Sequence, residues 1–109
     1  MSAQPMTNEE NREHTKQMLE NISIDQTLAE RGERYGKYLN VARVSQQLKR
    51  IMRAQGNYQV MDHDMKESLD LIANKLGRIL SGDPHYHDSW IDIAGYAKLV
   101  ADRLQGVER

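Results

Sequence analysis

ESLDLIANKLGRILSGDPHYHDSWIDIAGYAKLVADRL, residues 67–104, is the stretch that decides the fold. Leu69, Ile72, Ala73, Leu76, Ile79 and Leu80 recur at helical spacing. So do Trp90, Ile93, Ala94, Ala97, Val100, Ala101 and Leu104, and the spacing predicts that both sets are buried. Between the two runs stands Ser81-Gly82-Asp83-Pro84. Glycine stops the first helix, and an acid followed by proline opens a helical turn into the second. A short connection makes consecutive helices antiparallel neighbours, so this segment predicts a helical hairpin.

Upstream, Asp62 or Asp64 caps the first of these helices, with Asp64 and Glu67 at capping-box spacing. Val41, Val44, Leu48, Ile51 and Met52 form the stripe of an earlier helix over residues 40–53, which Gln55-Gly56-Asn57 breaks. Ser23-Ile24-Asp25-Gln26 reads as the start of a short helix with Ile24 and Leu28 on one face, ended by Gly32 or Gly36. Residues 32–38 are then a turn or a frayed helix end. Thr7-Asn8-Glu9-Glu10 is a further capping box, but residues 11–17 offer almost nothing to bury. Residues 1–22 therefore read as a polar arm, partly disordered or helical, and residues 23–109 as a single helical domain. Alternating apolar-polar runs are absent, and residues 57–60 are the only β-rich scrap. The expected fold is an all-α bundle of four to five helices that ends in the antiparallel hairpin.

A chain of 109 residues supports one domain with a modest core. With one tryptophan, five tyrosines and no phenylalanine, that core is aliphatic. A net charge of −1 provides no global field for nucleic acid or an anionic membrane. The absence of cysteine excludes disulfides, thiolate metal sites and a thiol nucleophile. No apolar run approaches the roughly 18 residues of a membrane span. Residues 1–20 lack the basic start and apolar stretch of a secretory signal, so the expected location is the cytoplasm.

The faces opposite the apolar stripes carry the chemistry. Projected at about 100° per residue, Glu67, Asp70, Leu71, Asn74 and Arg78 share one side of the first helix. Asp88, Asp92, Gly95, Tyr96, Leu99 and Arg103 share one side of the second. Mg²⁺ takes hard oxygen ligands, often one or two carboxylates plus phosphate oxygens and water. Paired acids on two packed helices suit that demand, and Lys75 and Arg78 are placed to meet phosphate. Such a metal would polarise a phosphoryl oxygen and position water. The alternative is that these charges form ordinary helix-surface pairs worth a few tenths of a kcal/mol each. Gly95, inside a helix at a cost of about 1 kcal/mol relative to alanine, suggests close approach by a backbone or a ligand. Apolar groups on two faces of short helices suggest a homo-oligomer that would bury Leu71 and Leu99.

Other constellations are weaker. His85, His87 and Asp88 crowd one turn, but zinc needs three or four tetrahedral ligands, and His63 and His14 are distant. Arg43, Lys49, Arg50 and Arg53 form a basic face without interleaved aromatics, which argues against nucleic acid. Arg34 and Tyr35 beside Gly36 could flank a base, although a helix-ending turn is the preferred reading.

Three elements together carry a resemblance. They are Arg31-Gly32-Glu33-Arg34-Tyr35-Gly36; the run from Lys75 through Arg78 to Pro84; and Asp88-Ser89-Trp90-Ile91-Asp92-Ile93-Ala94-Gly95-Tyr96. Over about residues 26–105 the chain resembles a family of small phage and prophage all-α proteins. That family is similar to the MazG-like nucleoside triphosphate pyrophosphohydrolases. The resemblance implies a host-cell cytoplasmic, Mg²⁺-dependent nucleotide-binding protein that cuts between the α and β phosphates and assembles as a dimer or tetramer. It implies metal ligation by Glu67, Asp70, Asp88 and Asp92, phosphate binding by Lys75 and Arg78, and ligand contact by Tyr96. The acid spacing differs from the usual glutamate-glutamate-x-x-glutamate and glutamate-x-x-aspartate runs. That difference and the polar arm leave a second expectation open: a non-enzymatic phage accessory protein that binds and modulates a host protein.

Overall fold

The computed structural model describes residue 5 and residues 7–109. Five helices occur among the described residues: α1 (Asn8–Tyr35), α2 (Tyr38–Arg53), α3 (Gly56–Val60), α4 (His63–Ser81) and α5 (His87–Leu104). The chain is all-α, with no strand among these residues. Residues 1–4 and 6 of the expected arm lie outside the described residues.

Helix α1 starts where its capping box predicts. The Thr7 backbone N–H donates to Glu10 Oε2 at 3.1 Å, and the Glu10 N–H donates to Thr7 Oγ1 at 3.1 Å. It does not restart at Ser23. That residue lies inside the helix, and its carbonyl accepts the Thr27 hydroxyl at 2.9 Å. Gly32 is also internal, and the terminator is Gly36, at φ +79°. The chain divides into two compact units, Met1–Arg31 and Gly32–Arg109, a boundary further along than residues 22–23. In the first unit Met18, Leu19, Ile24 and Leu28 are all exposed.

In the second unit α4 packs against both α2 and α5. Arg53 meets Asp70, while Val41 meets Gly77, so α2 and α4 run antiparallel. Ser68 Oγ donates to the Tyr96 carbonyl at 3.1 Å, and Lys75 meets Asp92 at 2.9 Å. These pairs make α4 and α5 the antiparallel hairpin that the Ser81–Pro84 turn predicts. The contact lines on α4 are about half a turn apart, Ala73 and Gly77 towards α2, Ser68 and Lys75 towards α5. A Cβ on Gly77 would sit 2.7 Å from the Val41 carbonyl oxygen, so glycine sets the spacing of α2 and α4.

Residues 57–60 are helical in α3 rather than extended. The expected helical turn at Asp83-Pro84 is instead an Asx turn. The Asp83 carboxylate accepts the His85 N–H at 2.9 Å, and α5 starts only at His87. Asp62 is the residue before α4 but makes no side-chain cap. Its carboxylate turns to Arg103 Nη2 at 2.8 Å, and Asp64 binds the same guanidinium. That bond from Arg103 holds the Asp64 carboxyl below the usual carboxylate range. A carboxyl depressed in the folded state stabilises above its ordinary pKa of 3.8 and loses that contribution as pH falls through the depressed value. Asp64→Asn is therefore expected to lower the urea midpoint at pH 7, with the gap to the parent closing below about pH 4. A gap of equal size at pH 2.5 would exclude the ion pair as its cause.

The orientation of α5 differs from its hydrophobic pattern. The side turned to α4 carries Ser89, Asp92, Tyr96 and Arg103, and Ser89 is 3% exposed. Trp90, expected in the core, is 53% exposed, and its Nε1–H donates to the Pro84 carbonyl at 2.8 Å. Ala94, Ala97, Ala101 and Leu104 are exposed with it, and so is Leu80 of α4. The α5 stripe lies about 100° round the helix from the α4 contact line, so only its near edge, Ile93 and Val100, is half-buried and the rest is left uncovered in this unit. The buried apolar residues among those described are Val41, Ala73 and Ile79, accompanied by Ser45, Ser68 and Ser89.

Antiparallel neighbours wind in opposite senses when viewed end on. Residues about 90° past the mutual contact line on each helix therefore fall on the same side of the layer. By this projection Ile51 of α2, Ile72 and Leu76 of α4, and Trp90, Ala97 and Leu104 of α5 share one face. Lys49 and Arg53, Glu67 and Arg78, and Asp88 and Asp92 share the other. The layer is apolar on one side and charged on the opposite one.

Candidate functional site

The charged face divides into two levels along the helices. At one level the early part of α4 lies beside the late part of α5. Glu67 is exposed there and, with Tyr96, Leu71 and Leu99, lines a groove of about 430 Å³. This groove carries an apolar floor and a charged rim. At the other level lie Lys75 and Asp92, bonded at 2.9 Å, with the Lys75 side chain only 12% exposed. Asp88 is one helical turn before Asp92. Its carboxylate accepts the Tyr86 hydroxyl at 3.2 Å and lies 3.7 Å from His87 Nδ1. Burial and the Asp88 bond raise the pKa of the Tyr86 hydroxyl, so it stays a donor.

The expected metal acids are not gathered in one place. Among the described residues no three His, Asp or Glu side chains lie close enough to hold an ion. Asp70 turns towards α2, where Arg53 is 3.8 Å from its Oδ2 and its buried Oδ1 has no partner. Glu67 lies level with Tyr96, and Asp88 is eight residues, or about 12 Å, further along α5. Spacing predicts which side of a helix an acid occupies, but not the level at which two helices meet. His85 and His87 pair only with the neighbouring Asp83 and Asp88, with no convergence towards a zinc site.

Lys75 is committed to Asp92, which ties the expected phosphate-binding lysine to an expected metal acid. Arg78 is placed differently. Its guanidinium lies 4.5 Å from the centre of the Tyr35 ring. Tyr35 meets Tyr86 edge to face at 5.9 Å, and Arg34 lies 5.1 Å over the Tyr86 ring. This cluster joins the end of α1 to the α4–α5 turn. Two glycines make the approach possible. A Cβ on Gly36 would strike the Ser81 carbonyl, and one on Gly82 would strike the backbone of Arg34 and Tyr35. The Asp83 N–H donates to the Arg34 carbonyl at 2.6 Å across the same crossing. The one sequence signal for this contact was that both the Arg31–Gly36 element and the Ser81–Pro84 turn contain a glycine at the point of crossing.

A Cβ on Gly95 would meet nothing within 4 Å, so no other backbone among the described residues approaches it. The close approach belongs to Gly77 instead. No helix among the described residues is long and apolar enough to cross a membrane. Protein-family models, curated proteins and solved structures all yield no match to this chain.

Proposed function

We propose that the charged face of the layer binds a nucleotide with Mg²⁺, and that the protein is a MazG-like nucleoside triphosphate pyrophosphohydrolase. The observation that carries this reading is the Lys75–Asp92 bond between α4 and α5, with Asp88 one helical turn from Asp92 and Arg78 three residues from Lys75. Mg²⁺ needs only one or two carboxylates when phosphate oxygens and water complete its octahedron. Asp88 and Asp92, one turn apart, supply that number, and no three-acid cluster is required. Arg78 neutralises phosphate charge, and Lys75 orients Asp92. The groove beside Glu67 and Tyr96 lies about 12 Å away, within reach of the nucleoside end of a triphosphate.

The test is pyrophosphate release from a panel of nucleoside triphosphates with Mg²⁺. Asp92→Asn is expected to abolish turnover while leaving the helical spectrum intact, and removal of Mg²⁺ by a chelator should do the same. Turnover unchanged in Asp92→Asn removes that residue from the site. The accessory-protein reading is favoured by one observation, that Asp70 and Asp92 already have cationic partners within the chain. It gains if no nucleotide is cut and none raises the melting temperature.

The apolar face supports a homodimer. Ile51, Trp90, Ala97 and Leu104 on this face are all exposed within one chain. A standard interface needs about 800 Å² from each partner. Two copies joined through this face leave both charged faces open to ligand.

A further inference from the structure

We infer that Arg34 and Arg78, each laid on a tyrosine ring, form a binding site for a polyphosphate chain where the end of α1 crosses the α4–α5 turn. The ligand class rests on the nucleotide reading above, and the residues Arg34, Tyr35 and Tyr86 extend it. A guanidinium held over a ring face by cation–π attraction spends none of its N–H donors on an acid, and those donors match phosphate in bidentate geometry. Among the described residues no carboxylate lies within 4.0 Å of either guanidinium, whereas Arg53 and Arg109 each have one and Arg103 has two. Arg34 and Arg78 are thus held in place by aromatic rings rather than neutralised by acids.

The cluster is rigidly mounted. The Gly36 and Gly82 crossing, the Asp83 N–H to Arg34 carbonyl bond and the Tyr35–Tyr86 contact fix both rings relative to the turn. Preorganised cations lose little entropy on binding an anion. Each ring already carries a guanidinium, so a phosphate chain suits the site better than a stacked base. The two cations sit on different rings 5.9 Å apart, which suits two or three linked phosphates better than one. Asp88, on the Tyr86 hydroxyl, sets one carboxylate beside these cations. A polyphosphate that carries Mg²⁺ satisfies both signs of charge.

The experiment is calorimetric titration of the full chain with inorganic tripolyphosphate and Mg²⁺. Arg34→Gln and Arg78→Gln are each expected to weaken binding about ten-fold or more, with Arg34→Lys intermediate. Arg43→Gln, on the exposed side of α2, should bind like the parent. Weaker binding at higher salt is also expected. The inference is overturned if the parent does not bind tripolyphosphate, or if Arg34→Gln loses melting temperature but keeps its affinity. The latter result would make the cluster a structural clamp alone. Arg34→Lys, which keeps the charge, serves if Arg34→Gln does not fold. Arginine-dependent binding without pyrophosphate release from any triphosphate sinks the hydrolase and leaves this site standing. Release that persists with undiminished tripolyphosphate affinity in Arg34→Gln sinks this site and leaves the hydrolase standing.

Discussion

Gly36→Ala is expected to destabilise the protein by about 3–5 kcal/mol, a large share of the total stability of a small domain. Two effects add. The residue sits at φ +79°, where any side chain costs about 1 kcal/mol or more. Its new methyl would also strike the Ser81 carbonyl, which is backbone and cannot rotate aside. Gly82→Ala meets the backbone of Arg34 and Tyr35, and at φ −128° its cost is steric alone. Gly77→Ala is the intermediate case, because α2 and α4 can separate by a few tenths of an ångström to relieve the Val41 carbonyl. Gly32→Ala and Gly95→Ala should be neutral or stabilising by up to about 1 kcal/mol, since both lie in helix interiors with open space around them. The measurement is the urea midpoint by circular dichroism at one fixed protein concentration. The crossing of the end of α1 with the α4–α5 turn is refuted if Gly36→Ala loses no more than Gly95→Ala.

That series also marks where local sequence patterns stop informing. The periods of α2, α4 and α5 and the Gly82 stop were legible because each depends on residues within one or two turns. The Ser23 capping box misled for a related reason. Nothing between Gln26 and Arg31 stops a helix, and propagation through good helix formers outweighs a cap signal that arrives mid-helix. Periodicity named the apolar side of α5 correctly but could not say what covers it. Burial there was assigned to this chain, yet Ser89, Asp92 and Arg103 turn a polar side of α5 to α4. The candidate site was legible only as helix faces. The projection set Asp70 beside Glu67 and Arg78, whereas Asp70 turns to Arg53 of α2, Lys75 lies on the α4–α5 contact line against Asp92, and Glu67 lies at a different level from Asp88. The Arg34–Tyr86 contact joins residues about fifty apart in sequence, beyond any helical projection.

The uncovered side of α5 leads to the second large effect. The protein is expected to run as a dimer, about twice the 12.6 kDa chain mass by light scattering, and Ala97→Glu to convert it to monomer. Ala97 is central in the stripe that contains Trp90, Ala101 and Leu104, and its side chain is exposed within one chain. In a lone chain the substitution would add one solvated carboxylate on a helix surface, an effect within about 0.5 kcal/mol. In a dimer it places two unpaired carboxylates in an apolar contact, which costs several kcal/mol and weakens association about a thousand-fold or more. Gln46→Glu, which adds the same charge to the opposite side of the layer, should leave the mass unchanged. Trp90 is the single tryptophan, so its emission reports the face directly. It should shift to the red on dilution of the parent and already be red in Ala97→Glu. A parent that is monomeric at tens of micromolar, with solvent-like Trp90 emission that Ala97→Glu does not change, would leave the apolar face without a second copy. Because the charged face points away from this contact, dimer loss and loss of polyphosphate binding should separate. Ala97→Glu is expected to retain the tripolyphosphate affinity that Arg34→Gln removes.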